Sequence, residues 1–217
     1  FYFQYSELSM LNLGGISIYN LCMFDIRKLI DASGVLQIPE TIQVGSGEGT
    51  ESFVYSLIKI GSNTFSNLTE LKELHIPSSV KEIKWSFYNC TQLKNIIVTI
   101  DNEYFKSIDG VLFSKDSKTL ISYPNAHGME YYVPEGVEKI EHFAFKTCTG
   151  IETIFLPNSL YEIGSNAFYR CDNLKKVFLP DNIRIIREMC GDTNYNFRFV
   201  YRKREYTFDE MRNILNC

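Results

Sequence analysis

Apolar positions along most of this chain fall into one compound pattern that returns several times. An isoleucine opens a short segment that closes on phenylalanine: Ile163-Gly-Ser-Asn-Ala-Phe168, Ile60-Gly-Ser-Asn-Thr-Phe65, Ile140-Glu-His-Phe-Ala-Phe145 and, one residue shorter, Ile83-Lys-Trp-Ser-Phe87. Three further apolar residues follow each phenylalanine at intervals of three: Leu68, Leu71 and Leu74; Cys90, Leu93 and Ile96; Cys148, Ile151 and Ile154; Cys171, Leu174 and Val177. Two residues on stands Ile76, Val98, Leu156 or Leu179, and then Pro77, Pro157 or Pro180, with Thr99 in the remaining copy. Both Ile60 to Ile83 and Ile140 to Ile163 span 23 residues, which sets the unit length.

Spacings of three suit a short helical turn, whereas the closing apolar-x-apolar alternation suits a strand. Neither piece can bury its apolar side alone. Stacking like units solves this, because Phe, Leu and Cys then form interior ladders while the strands pair about 4.8 Å apart. The trailing proline has no N–H for a ladder, so it ends pairing at one place in each rung. A second short apolar pair (Val80 and Ile83, Val137 and Ile140, Leu160 and Ile163) is expected to pair along another side of the coil. The predicted fold is an α/β repeat solenoid: a curved array with a parallel sheet on one face, short helical turns opposite, and an inserted β-hairpin.

The pattern breaks in two places. Leu36-Gln-Ile-Pro39 and Ser56-Leu-Ile-Lys-Ile60 match parts of a unit but lie more than one unit apart, so Val44 to Gly49 reads as an inserted loop. Phe145 stands 58 positions after Phe87, 35 more than one repeat. That excess contains Ile108-Asp-Gly-Val-Leu-Phe113 and Leu120-Ile-Ser-Tyr-Pro124 flanking the polar turn Lys115 to Lys118, which predicts a hairpin. The expected organisation is an N-terminal cap over 1–34, repeats over 35–183 with the hairpin at about 100–130, and a C-terminal cap over 184–217. The uncharged run Leu8 to Phe24 reads as an amphipathic cap; a degraded signal or anchor segment is the competing reading. Thr207 and Glu210 are spaced as a capping box, which places Phe208, Met211, Ile214 and Leu215 on one apolar helical face.

The unit Ile-Gly-x-x-Ala-Phe-x-x-Cys-x-x-Leu-x-x-Val-x-Leu-Pro, with the Asp109 to Phe113 and Leu120 to Pro124 segments, resembles the BspA-type leucine-rich repeat family over about residues 35–183. The resemblance implies a curved solenoid that mediates adhesion and protein contact at a bacterial or protozoan surface. It brings no catalytic residues and no cofactor with it. A secreted or cell-surface location follows from the resemblance; a cytoplasmic or cytoskeletal scaffold subunit is the alternative.

Composition narrows the chemistry. The 217 residues carry a net charge of −4 with 45% hydrophobic residues, which excludes a disordered chain. Residues 175–204 hold eight basic and three acidic side chains, so this end is locally basic, yet no nucleic-acid motif accompanies it and no nucleic-acid partner is expected. Of the six cysteines, Cys90, Cys148 and Cys171 share one ladder position and are expected to be inert packed thiols; Cys22, Cys190 and Cys217 leave the redox compartment open. His75, His127 and His142 lack any ligand spacing, and Asp101, Asp109 and Asp116 read better as turn residues than as a calcium loop. No metal, cofactor, catalytic residue or membrane span is expected. Gly45-Ser-Gly-Glu-Gly49 lacks the Lys-Ser/Thr of a phosphate loop. Two sequons, Asn67-Leu-Thr69 and Asn89-Cys-Thr91, share a repeat position and admit either glycosylation or an ordinary turn.

Strand alternation supplies the candidate site. The residue between two inward positions points outward, and aligning rungs gives His75, Ile97, Tyr132, Phe155 and Phe178, with Gln37 in the leading rung. Glu73, Asn95, Glu130, Thr153 and Lys176 form a polar row beside it. Outward apolar residues in a row make a stripe suited to a protein partner or a second copy of the chain. The competing readings are that the insert or a terminus folds over the stripe, or that aromatic residues simply favour strands.

Overall fold

A computed structural model describes residues 2–3, 11–12, 15–18, 29–45, 52–84, 87–187 and 196–215. Strands stack in two parallel rows. The row of longer strands contains Val35–Gln37, Glu73–Ile76 and Asn95–Val98 in one sheet, then Glu130–Tyr132, Thr153–Phe155, Lys176–Phe178 and Arg198–Tyr201 in a second. The row of shorter strands contains Gly15–Ile18, Ser52–Ile60 and Glu82–Ile83, then Thr119–Ser122, Lys139–Ile140, Glu162–Ile163 and Ile185–Ile186. Register places like over like, with Leu74 beside Ile96, Ile154 beside Val177 and Val177 beside Phe199, and Ile140 beside Ile163 and Ile163 beside Ile186.

Among the described residues the side opposite the longer strands is built of turns, so the predicted helical turns are not found there and the stacked coils form a β-solenoid. Three turns carry residues with positive φ four apart, at Asn63 and Asn67, Phe143 and Thr147, and Asn166 and Arg170. A left-handed residue cannot propagate a right-handed helix, so the apolar spacing of three is met by tight turns instead. Those turns bond to their neighbours through backbone groups: the Asn67 N–H donates to the Tyr88 carbonyl at 2.8 Å, and the Thr147 N–H to the Tyr169 carbonyl at 2.8 Å. Among the described residues the one helix is Phe208–Leu215.

Inside the coil, aromatic rings form a ladder. Phe65 and Phe87 lie 5.8 Å apart, Tyr123 and Phe145 4.9 Å, Phe145 and Phe168 5.5 Å, and Phe168 and Phe197 5.7 Å. Tyr123 therefore holds the phenylalanine place of a rung the repeat pattern does not reveal. Leu120 pairs with Ile140 and Tyr131 with Ile154, so the second part of the 35-residue excess is a shortened rung. Two residues separate Leu120 from Tyr123, against four between Ile140 and Phe145.

The first part is antiparallel. Phe105–Ile108 pairs with Val111–Ser114, which pairs in turn with Thr119–Ser122. Asp109 and Gly110 link the first two with φ of 48° and 77°, the left-handed pair a tight type I′ hairpin uses. The middle strand faces both ways: Val111 and Phe113 are buried in the C-terminal core, Leu112 in the N-terminal one. Asn102 fixes the entry to this segment. Fully buried, it donates to the Pro77 and Val80 carbonyls at 2.8 and 2.9 Å and accepts from the Tyr104 and Phe105 N–H groups.

At the N-terminal end, Thr41–Gly45 and Ser52–Ile60 are antiparallel and Tyr2–Phe3 adds beside the first of them. Leu11–Asn12 and Gly15–Ile18 are strands too; the rest of Leu8 to Phe24, and residues 46–49 of the expected loop, lie outside the described residues. The array runs one rung past the sequence motif, since Ile185–Ile186 and Arg198–Tyr201 pair in register, and antiparallel Arg204–Tyr206 ends the sheet. In the helix, the Glu210 N–H donates to Thr207 Oγ1 at 3.2 Å and the Thr207 N–H to Glu210 Oε2 at 2.7 Å. Met211 is buried and Phe208 and Leu215 pack on the core, but Ile214 is exposed, contrary to the expected face.

Candidate functional site

The structure divides the predicted outward row. Gln37, His75 and Ile97 are neighbours in the first sheet, whereas Tyr132, Phe155 and Phe178 are neighbours in the second, with Val200 next. The cause is the antiparallel insert, which enters after Asn95–Val98, where Thr99 replaces the usual proline. Ser107 caps that strand, accepting the Val98 N–H at 2.8 Å and donating to the Ile96 carbonyl at 2.6 Å. Ile97 and Tyr132 are thus not paired, and one continuous stripe is not formed.

The two halves differ in chemistry. In the first, Glu73 accepts from His75 at 2.7 Å and from Asn95 at 3.2 Å, giving a polar cluster. In the second, three rings stack. Tyr132 and Phe155 are 4.3 Å apart at 4°, and Phe155 and Phe178 4.6 Å apart at 12°. Parallel strands in register impose this spacing, because identical positions repeat at the strand separation. Phe155 and Phe178 are half-buried by one another, and Tyr132, first in the stack, is 65% exposed. Beside them run Glu130, Thr153 and Lys176, the last 2.6 Å from Glu205.

The remaining candidates resolve into packing and pairing. Cys90, Cys148 and Cys171 are buried and free, and donate to the carbonyls of Phe65, Tyr123 and Phe145 at 2.8, 3.4 and 2.9 Å. Burial pushes the Cys90 thiol up to about 12 and raises the other two, so all three stay protonated and weakly nucleophilic. Cys22, Cys190 and Cys217 lie outside the described residues. His127 bonds the Lys94 carbonyl at 2.9 Å and His142 accepts the Ser165 N–H at 3.0 Å, each apart from the other histidines. Among the described residues no group of three His, Cys, Asp or Glu could hold a metal ion. No described helix is long and apolar enough to cross a membrane. The sequon residues Asn67 and Asn89 sit at φ of 62° and 58°, and the Asn89 amide donates to Asn67 Oδ1 at 2.9 Å. The C-terminal basic cluster meets acidic neighbours, with Arg187 2.6 Å from Glu162 and Arg202 3.6 Å from Asp181.

Sequence reading did not single out the broken short-strand row or Lys146 beside it. The signal was present in the shortened Leu120 to Tyr123 interval.

Stacked rungs of about two dozen residues, an interior Phe ladder and two parallel strand rows define a leucine-rich-repeat solenoid. The chain belongs to the BspA type leucine rich repeat family, whose pattern matches residues 50–129 and 129–207 in 6 copies. No curated protein sequence matches it. Among solved structures it is similar to the pneumococcal vaccine antigen PcpA, at 27% identity and a TM-score of 0.52 over 70% of this chain and 46% of that one. A leucine rich cell surface protein from Faecalibacterium prausnitzii matches at 23% identity and a TM-score of 0.47, over 74% of this chain and 52% of that one. The chain thus spans about half the length of the structures it matches.

Proposed function

We propose that this chain is a non-enzymatic protein-binding module of a secreted or cell-surface protein, and that the Tyr132, Phe155 and Phe178 stack is its contact surface. Three aligned, outward aromatic rings carry the reading. Soluble sheets place polar residues on a water-facing side, and a rigid aromatic row with a charged rim has the make-up of interface hot spots. Membership of the BspA type family and likeness to a pneumococcal vaccine antigen support the surface location. The polar half with Gln37, His75 and Ile97 contributes specificity rather than buried area.

The test is capture of a surface-derived protein partner, or of a second copy, by the whole chain and by the F155S/F178S double variant. The reading predicts that capture is lost while the variant stays folded. Undiminished capture would contradict it.

A further inference from the structure

A second surface lies where the short-strand row is broken. Glu82–Ile83 pairs with Ser52–Ile60 on one side, and among the described residues no strand pairs with its other side. Where a further strand of the row follows, the equivalent carbonyls are used. Those of Ile60, Ile140 and Ile163 accept the N–H groups of Lys84, Gly164 and Arg187 at 3.0, 2.9 and 2.9 Å. Two residues earlier, those of Ile58, Glu138 and Tyr161 accept from Lys81, Tyr161 and Arg184 at 2.8, 3.0 and 3.1 Å. The matching carbonyls of Lys81 and Ile83 receive no such bond from the described residues.

Beside this open edge lies a cleft of ≈ 420 Å³, lined among others by Ile83, Phe87, Phe105, Ile121, Phe143 and Lys146. Its origin is the shortened rung: with two residues missing before Tyr123, this rung does not fill the space between its neighbours. The volume falls in the range of ligand pockets, about 300–1,000 Å³.

Charge selects the occupant. The lining carboxylates are already paired, Glu82 with Lys59 at 2.8 Å and Glu141 with Lys139 at 3.2 Å. Lys146 is not. Its ammonium lies 4.3, 4.9 and 5.8 Å from the ring centroids of Tyr88, Phe143 and Tyr169, with no ion pair or hydrogen bond to a described residue. Burial among these rings holds its pKa below the usual lysine value. Lys81, on the rim, also has no ion pair among the described residues.

We propose that the cleft takes a short, extended acidic peptide segment that adds as a parallel strand along Glu82–Ile83. Its N–H groups bond the Lys81 and Ile83 carbonyls, an apolar side chain rests on Phe87 and Phe143, and a carboxylate meets Lys146. Main-chain pairing gives strength and the cation gives selectivity, as in strand addition generally.

Fluorescence anisotropy of the full chain with a fluorescein-labelled Thr-Glu-Phe-Glu-Val amide tests this, with Thr-Lys-Phe-Lys-Val as counterpart. The expected result is saturable binding of the acidic peptide, weaker by about ten-fold or more for the basic peptide and for K146M, as loss of a charged partner implies. K146R keeps the charge and retains binding, which separates a lost contact from a lost fold, and F155S/F178S binds the peptide unchanged. Equal binding of both peptides, unchanged binding by K146M, or binding of phosphatidylserine vesicles but not of the peptide would each overturn the proposal.

Discussion

Asparagine recurs in these turns because it tolerates the left-handed region better than residues with bulkier or branched side chains. The sequon-like spacing at Asn67 and Asn89 thus has a backbone cause, supplemented by the bond between their side chains. Asn67→Val should cost about 1–2 kcal/mol more stability than Asn67→Gly, since both lose that bond and only valine meets the steric penalty; urea midpoints of the two variants give the difference. The buried thiols make a pH prediction. The folded state holds Cys90 protonated up to about 12, while the unfolded thiol ionises near its ordinary value of 9.0. A raised folded pKa contributes stability that is complete below the unfolded value and is lost as pH rises between the two. Stability should fall from pH 9 upward, and Cys90→Ala should make that fall shallower by up to about 1.4 kcal/mol per pH unit. An unchanged slope in alkaline urea titrations would show that Cys90 ionises alike in both states.

At the scale of elements, strands were more legible than turns. Ile, Val and Leu alternation points to Glu73–Ile76, Asn95–Val98, Thr153–Phe155 and Lys176–Phe178, because period two has few other solutions. The turns misled because a spacing of three serves a helix and a tight turn alike, and only the φ values at Asn63, Thr147 or Asn166 separate them. Sequence alone could not show that the insert parts Ile97 from Tyr132. The shortened rung was hidden because Tyr123 stands for Phe and two residues are missing. Asn102, which joins the insert to the preceding corner through four bonds, should be costly to lose: Asn102→Ala should destabilise by roughly 2–4 kcal/mol, the net worth of several buried hydrogen bonds with their partners left unsatisfied. Thermal unfolding measures it, and a change near zero would show that the insert is held by its apolar residues alone.

For the whole molecule, two aromatic rows run along the same coil with different tasks. The interior row of Phe145, Phe168 and Phe197 fills the core, and the exterior row of Tyr132, Phe155 and Phe178 lies on the outer side of the sheet, where the proposed partner would bind. Stacked ring pairs contribute about 0.5–1.5 kcal/mol beyond area burial, so the outer row gives the sheet a modest stiffening. Deleting a core phenylalanine costs about 3–5 kcal/mol. Equilibrium denaturation of F168A beside F155S/F178S compares the two rows directly. The single interior substitution should lose more stability than the two exterior ones together; the reverse order would mean that the outer rings hold the fold and are not a surface kept for binding.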